Sequence, residues 1–245
     1  MNSLPASSAA TTAPAFVPET RFGLWFLSTP TWRVHVLQRA LNDLQRLAPD
    51  LPERVNGGVV LDIGTGQGHS LPELAERLRP SEIHALDPEP DFAARCDTMR
   101  QATPVPVTLH HAHAEHIPLP DASVDLVLCH QTLHHIVDQA AALTEVFRVL
   151  KPGGHLLLAE STRAYIHSWV IRLLFRHPMH VQRSAPEFLA MLREAGFEVK
   201  PEHISTPYLW WSRSDLGARE WLGLGVPAPG KREETLLNCV ARKPG

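Results

Sequence analysis

The stretch Val59-Val60-Leu61-Asp62-Ile63-Gly64-Thr65-Gly66-Gln67-Gly68 decides the fold. Branched apolar residues run into an acid, and the chain then breaks into three glycines at alternate positions. Beyond them Leu71, Leu74 and Leu78 recur at spacings of three and four. The pattern predicts a buried parallel strand, a tight turn and a helix. Glycine suits such a turn because it takes φ > 0 and, lacking Cβ, lets a ligand lie against the backbone. Asp62 falls at the carboxyl end of the strand, where open α/β sheets bind their ligands.

Outward from that turn, strand and helix alternate. A helix from Thr29-Pro30 onward precedes it, with Thr29 as cap, Pro30 in the first turn, and Val34, Leu37, Leu41, Leu44 and Leu47 on one face. After the turn, strands are expected at Glu82–Leu86, Val105–His110, Val124–Cys129 and His155–Glu160, with helices at Pro90–Arg100 and Gln139–Leu150. The second helix is stopped by Lys151-Pro152-Gly153-Gly154. Ser184-Ala185-Pro186-Glu187 forms a capping box that opens another helix, closed by Gly196. Phe197–Ile204 and Thr235–Ala241 complete the expected strands. This alternation is the signature of a parallel sheet covered on both faces.

With 245 residues, 44% hydrophobic and 20% charged, the chain fits a soluble globular protein of one domain. That domain is expected over 21–245, and the Ala-, Ser-, Thr- and Pro-rich residues 1–20 are expected to be a disordered tail rather than a signal peptide. Without an apolar run long enough to span a bilayer, a cytoplasmic location is the default. The net charge of −3 argues against a nucleic-acid partner. Cys96, Cys129 and Cys239 are scattered and read as buried thiols.

The glycine turn has two nucleotide-type readings. A dinucleotide fingerprint is G-x-G-x-x-G, whereas this turn is G-x-G-x-G preceded by Asp. That form resembles motif I of the class I S-adenosylmethionine-dependent methyltransferases. The resemblance continues through Ala112-His113-Ala114-Glu115-His116-Ile117-Pro118-Leu119-Pro120-Asp121 and Asp125-Leu126-Val127-Leu128, which are similar to that family's adenine loop and fourth strand. It extends to Leu133-His134-His135-Ile136, to Glu145–Gly154, and to Leu192–Phe197. The similarity is strongest between residues 58 and 160, and the nearest type is the small-molecule enzymes related to the quinone-pathway C-methyltransferases. It implies a Rossmann-like seven-stranded α/β sheet, parallel except for the last strand, with helices on both faces and 58–160 as the cofactor-binding core.

The resemblance gives each matched position a task. S-adenosyl-L-methionine is the implied cofactor. Asp62 and the backbone of Gly64, Thr65, Gly66 and Gly68 are expected to hold its methionine part. Asp87, followed by Pro88, is expected to accept both ribose hydroxyls, an interaction whose loss costs on the order of 2–4 kcal/mol. His113, Ala114 and Glu115 lie in the adenine loop, where His113 stands in place of the family's usual acid. His130 follows the fourth strand near the methyl group. Methyl transfer is an in-line displacement from an activated sulfonium, so positioning supplies most of the acceleration. A base is needed only if the acceptor loses a proton, and His134 is the candidate.

Acceptor choice is expected to reside in three additions to the sheet, at 21–48, 161–183 and 205–232. Trp25, Trp169, Trp210, Trp211 and Trp221 fall in them, which suggests an apolar, aromatic-lined pocket. Trp25, Phe26, His135, Trp169, Tyr208 and Trp210 are its candidate residues, for a small aromatic or apolar acceptor. Arg163, Arg172 and Arg176 flank an apolar stripe that could alternatively rest on a membrane surface. His110, His111, His113 and His116 lie close in sequence, but strand alternation sends His110 and His111 to opposite faces. No recognised metal pattern accompanies them, so no metal is expected. The alternative to an enzyme is a non-catalytic cofactor-binding sensor or assembly subunit. A nucleic-acid methyltransferase and a nicotinamide oxidoreductase fit less well. The segment Cys129-His130-Gln131-Thr132 lacks the Pro-Pro-aromatic run of base-amine enzymes, and the glycine spacing is wrong for a dinucleotide.

Overall fold

A computed structural model describes residues 19–245; most of the expected N-terminal tail therefore lies outside the described residues. Glu19 and Thr20, assigned to that tail from sequence, belong to the folded part: Thr20 caps the first helix and its hydroxyl donates to the Leu174 carbonyl.

Seven strands form one sheet in the order β3-β2-β1-β4-β5-β7-β6. They are β1 (Val59–Ile63), β2 (Glu82–Asp87), β3 (Val107–His111), β4 (Val124–His130), β5 (Leu150–Ser161), β6 (Ile204–Ser205) and β7 (Leu236–Arg242). β7 runs antiparallel to both its neighbours, and the other pairings are parallel. The helices are α1 (Arg21–Leu27), α2 (Pro30–Trp32), α3 (Gln38–Leu47), α4 (Leu51–Val55), α5 (Ser70–Leu78), α6 (Phe92–Ala102), α7 (Gln139–Val149), α8 (Arg163–Ile166), α9 (Trp169–Leu174), α10 (Ala185–Glu194) and α11 (Ala218–Trp221). This is the Rossmann-like α/β arrangement, a mostly parallel sheet with helices on both faces.

The central strands read as unbroken apolar runs because both of their faces are covered. Successive side chains point to opposite sides. Thus Val60, Leu126, Leu128 and Leu157 meet α3, α4 and α5, while Leu61, Val127, Cys129, Leu156 and Leu158 meet α7 and α10. The strand order places β1 and β4 side by side at the sheet's centre, with β2 and β5 beyond them. The carboxyl ends of β1, β2, β4 and β5 therefore open onto one edge.

Several expected elements shift. Thr29 accepts from the Trp32 amide and Pro30 opens the helix as read, but a π-helical turn at Arg33–Leu37 separates α2 from α3. The wider turn breaks the 3.6-residue phase, which leaves Val34 41% exposed while Leu37, Leu41, Leu44 and Leu47 are buried. The third strand begins at Val107 rather than Val105. β5 begins at Leu150, before the Pro-Gly-Gly stop, and pairs there with Val124 across an irregularity. Phe197–Ile204 is not one strand: Glu198 makes a lone bridge to Arg242, Pro201 opens a 3₁₀ turn, and pairing resumes only at Ile204. Proline has no amide to give a ladder.

Candidate active site

The glycine turn closes β1 onto the edge of β2. Gly64 has φ 74° and Gly66 has φ 52°. A Cβ on Gly64 would meet the Thr132 hydroxyl at 2.1 Å, so the chain after β4 is packed directly onto this glycine. The Gly66 amide donates to Asp87 Oδ2 at 2.9 Å, and the Glu89 amide to Asp87 Oδ1 at 2.9 Å. Each carboxylate oxygen thereby has one fixed donor and keeps further lone-pair capacity. Burial raises the Asp87 carboxyl above the ordinary carboxylate range, against the two amide hydrogen bonds that lower it.

Asp62 is buried at the end of β1 and accepts from Ser70 Oγ at 2.5 Å. Burial lifts its pKa to about 6, opposed by Ser70 and Thr65 and reinforced by the charge of Asp87. Asp62, Gly64, Thr65, Gly66, Asp87, Pro88, His113, Ala114, Glu115 and His130 all line one large cavity. Gly68 does not. A Cβ there would meet Cys96 Cβ at 2.9 Å, so its role is to let the turn pack against α6.

The turn after β4 is organised by a buried carboxylate that no sequence motif marks. Glu160, near the end of β5, is 0% exposed. It accepts from the Thr132 amide at 2.9 Å, the Leu133 amide at 2.7 Å and His134 Nδ1 at 2.5 Å. A buried charge needs such donors. Gln139 Nε2 donates to the Leu133 carbonyl and Gln182 Nε2 to the His134 carbonyl, fixing the turn from outside. Gln131, just before it, has φ 53° and accepts from Ser161 Oγ, a conformation that persists only where surrounding contacts impose it. The rule that strand ends carry sites was the available signal for Glu160.

The cavity wall also carries an apolar and aromatic set, Leu24, Phe26, Trp32, Ile166, Ile171 and Phe175. Phe175 meets Phe22 and Phe26 edge-on, joining α1 to the end of α9. His135 and His177 line the same cavity. Desolvation, then the charge of His134, lowers the His177 pKa to about 3 and depresses that of His135. Desolvation also lowers His130 to about 4.

The candidate acceptor residues therefore divide. Phe26 and His135 reach the cavity. Trp25, Trp169 and Trp210 are 60%, 63% and 58% exposed and lie outside its wall. Tyr208 is held between the Arg232 and Arg213 guanidinium groups, 3.9 and 5.4 Å from its ring centre. These aromatics sit on short helices and loops without a regular period, so the sequence did not show which way each points. Trp32, Phe175 and His177 were missed for the same reason. His110 contacts His84 at 3.0 Å and His111 contacts the Pro88 carbonyl, as opposite faces require.

A glycine turn, an acid on the next strand end and a conditioned loop after β4, all opening on one cavity, define the class I methyltransferase type of Rossmann-like fold. Residues 61–158 match the family described as a methyltransferase domain. A protein of Mycolicibacterium smegmatis designated probable S-adenosylmethionine-dependent methyltransferase is 35% identical over 157 residues, 64% of this chain and 56% of that protein. The demethylmenaquinone methyltransferase of Deinococcus radiodurans is 34% identical over 120 residues, 48% of this chain and 50% of that one. The chain spans about half the length of the curated relatives it matches. Among solved structures, a S-adenosylmethionine-dependent methyltransferase from Aquifex aeolicus superposes with a TM-score of 0.62 at 19% identity, over 89% of this chain and 96% of that one.

Proposed function

We propose that the chain transfers the methyl group of S-adenosyl-L-methionine to a small aromatic or apolar acceptor by in-line displacement. The observation that carries this reading is the two-sided cavity. Its wall joins Asp62, the glycine-turn backbone and Asp87 with an apolar and aromatic set, and His134 lines the same cavity. Asp87 takes the ribose hydroxyls on its spare lone pairs, and the backbone of Gly64–Gly66 and Asp62 take the methionine end. Pro88 and His113–Glu115 flank the base, and His130 stands by the methyl group.

Leu24, Phe26, Trp32 and Phe175 hold the acceptor by excluding water, which orients it toward the sulfonium. His134 handles the acceptor's proton: Glu160 fixes its Nδ1–H, which leaves Nε2 as the basic atom. The demethylmenaquinone activity named for the Deinococcus relative favours an apolar ring of this kind. No described helix is long and apolar enough to cross a membrane, and the acceptor is read as a small molecule rather than a nucleic acid.

The test is release of S-adenosylhomocysteine from the full chain with a panel of apolar phenols, quinols, amines and thiols. Turnover with at least one aromatic acceptor, with KM raised roughly tenfold or more in Phe175→Ala, is expected; a lost aromatic contact of about 1.5–3 kcal/mol gives that size. Tight cofactor binding with no turnover across the panel would instead support a sensor or assembly subunit.

A further inference from the structure

We propose that His134, His135 and His177 form a binding site for one late first-row divalent cation, zinc being the type case, with its open position facing the acceptor end of the cavity. One ligand nitrogen from each of the three imidazoles lies within 4.8 Å of the others. The ring centres are 4.3 Å apart for His134 and His135, 4.7 Å for His135 and His177, and 5.2 Å for His134 and His177. Nothing local in the sequence announces such a site, because its ligands come from two separate segments, the turn after β4 and the loop after α9.

Three features favour a cation over three packed rings. The donor set is all imidazole, which suits zinc and its neighbours rather than magnesium or calcium. His134 Nδ1 is already bound to the buried Glu160, the carboxylate–histidine arrangement that orients a metal-ligating imidazole and leaves Nε2 for the metal. Among the described residues, the rings of His135 and His177 have ring contacts but no side-chain hydrogen-bond partner. All three imidazoles line the cavity, and three protein nitrogens that leave a further position open are the ligand set of catalytic zinc centres.

The binding claim stands apart from methyl transfer; its catalytic consequence rests on the function proposed above. With the cation bound, His134 Nε2 is a ligand and no longer the base it is in the metal-free reading, and an acceptor hydroxyl or thiol in the open position loses its proton to water more readily. Its lone pair then bonds to the methyl carbon while the carbon–sulfur bond breaks and leaves its electron pair on sulfur.

The experiment titrates metal-free full-length protein with Co²⁺, read by visible absorption, and then displaces it with Zn²⁺. One equivalent giving a tetrahedral spectrum is expected. His177→Ala and His135→Gln, each shown to be folded by circular dichroism, should weaken it on the order of 100-fold, and Glu160→Gln by roughly 10- to 100-fold. The surface control His111→Ala should leave it unchanged. The absence of a saturable tetrahedral spectrum, or binding that survives both ligand substitutions, would overturn the site. S-adenosylmethionine titration of the same samples separates the two readings. Cofactor binding without Co²⁺ binding removes only the metal site, and the reverse removes only the methyl-transfer reading.

Discussion

Asp62 shows how burial at a strand end becomes a measurable pH effect. Its pKa is raised from 3.8 to about 6 by desolvation, with Asp87 adding to the shift and Ser70 and Thr65 opposing it. The folded state binds the proton more tightly than the unfolded chain does. This group's contribution to stability is therefore fully present below about pH 3.8 and is lost as pH rises through 6. A cofactor ammonium prefers the ionised form, so affinity for S-adenosylmethionine should rise by up to about tenfold per unit toward pH 6 and then level. Calorimetry between about pH 5 and 7 reads this, with Asp62→Asn flattening the curve; an unchanged wild-type affinity across that window would contradict the assignment. Asp62 and Asp87 were legible in the sequence because each ends an apolar run. Glu160 ends one as well, but its importance comes from donors on the next turn, and those partners are not written beside it.

At the level of elements, the β1–turn–α5 unit is held by geometry more than by side-chain choice. Gly64 combines φ 74° with contact to Thr132, so Gly64→Ala imposes both backbone strain and a clash with the chain after β4. A destabilisation of at least about 1–3 kcal/mol is expected in denaturant unfolding; a neutral change would mean that the turn and Thr132 separate freely. The strands and α5, α7 and α10 were legible because periodicity and capping act locally. β6 was not, since Pro201 and a two-residue pairing leave almost no periodic signal. The π-helical turn after α2 was equally invisible: it changes the phase of the helix without any proline or glycine to mark it.

Across the whole molecule, the seven-stranded order brings four strand ends to one cavity, whose remaining wall comes from α1, α8, α9 and the loops between them. The strand-end part of the wall was readable in sequence because it is built from consecutive residues at fixed spacings. The aromatic part was readable only as an aromatic-rich composition. Which rings turn inward is set by how α1 meets Phe175 and how Tyr208 is trapped by two arginines, both of them long-range events. The central claim is that this cavity holds S-adenosylmethionine with its ribose on Asp87. Calorimetric titration of the full chain and of Asp87→Ala with the cofactor tests it most directly. Micromolar binding by the wild type, weakened roughly 30- to 1000-fold in the variant as a loss of about 2–4 kcal/mol requires, is the predicted result; no binding by the folded wild type, or equal binding by both, would contradict it.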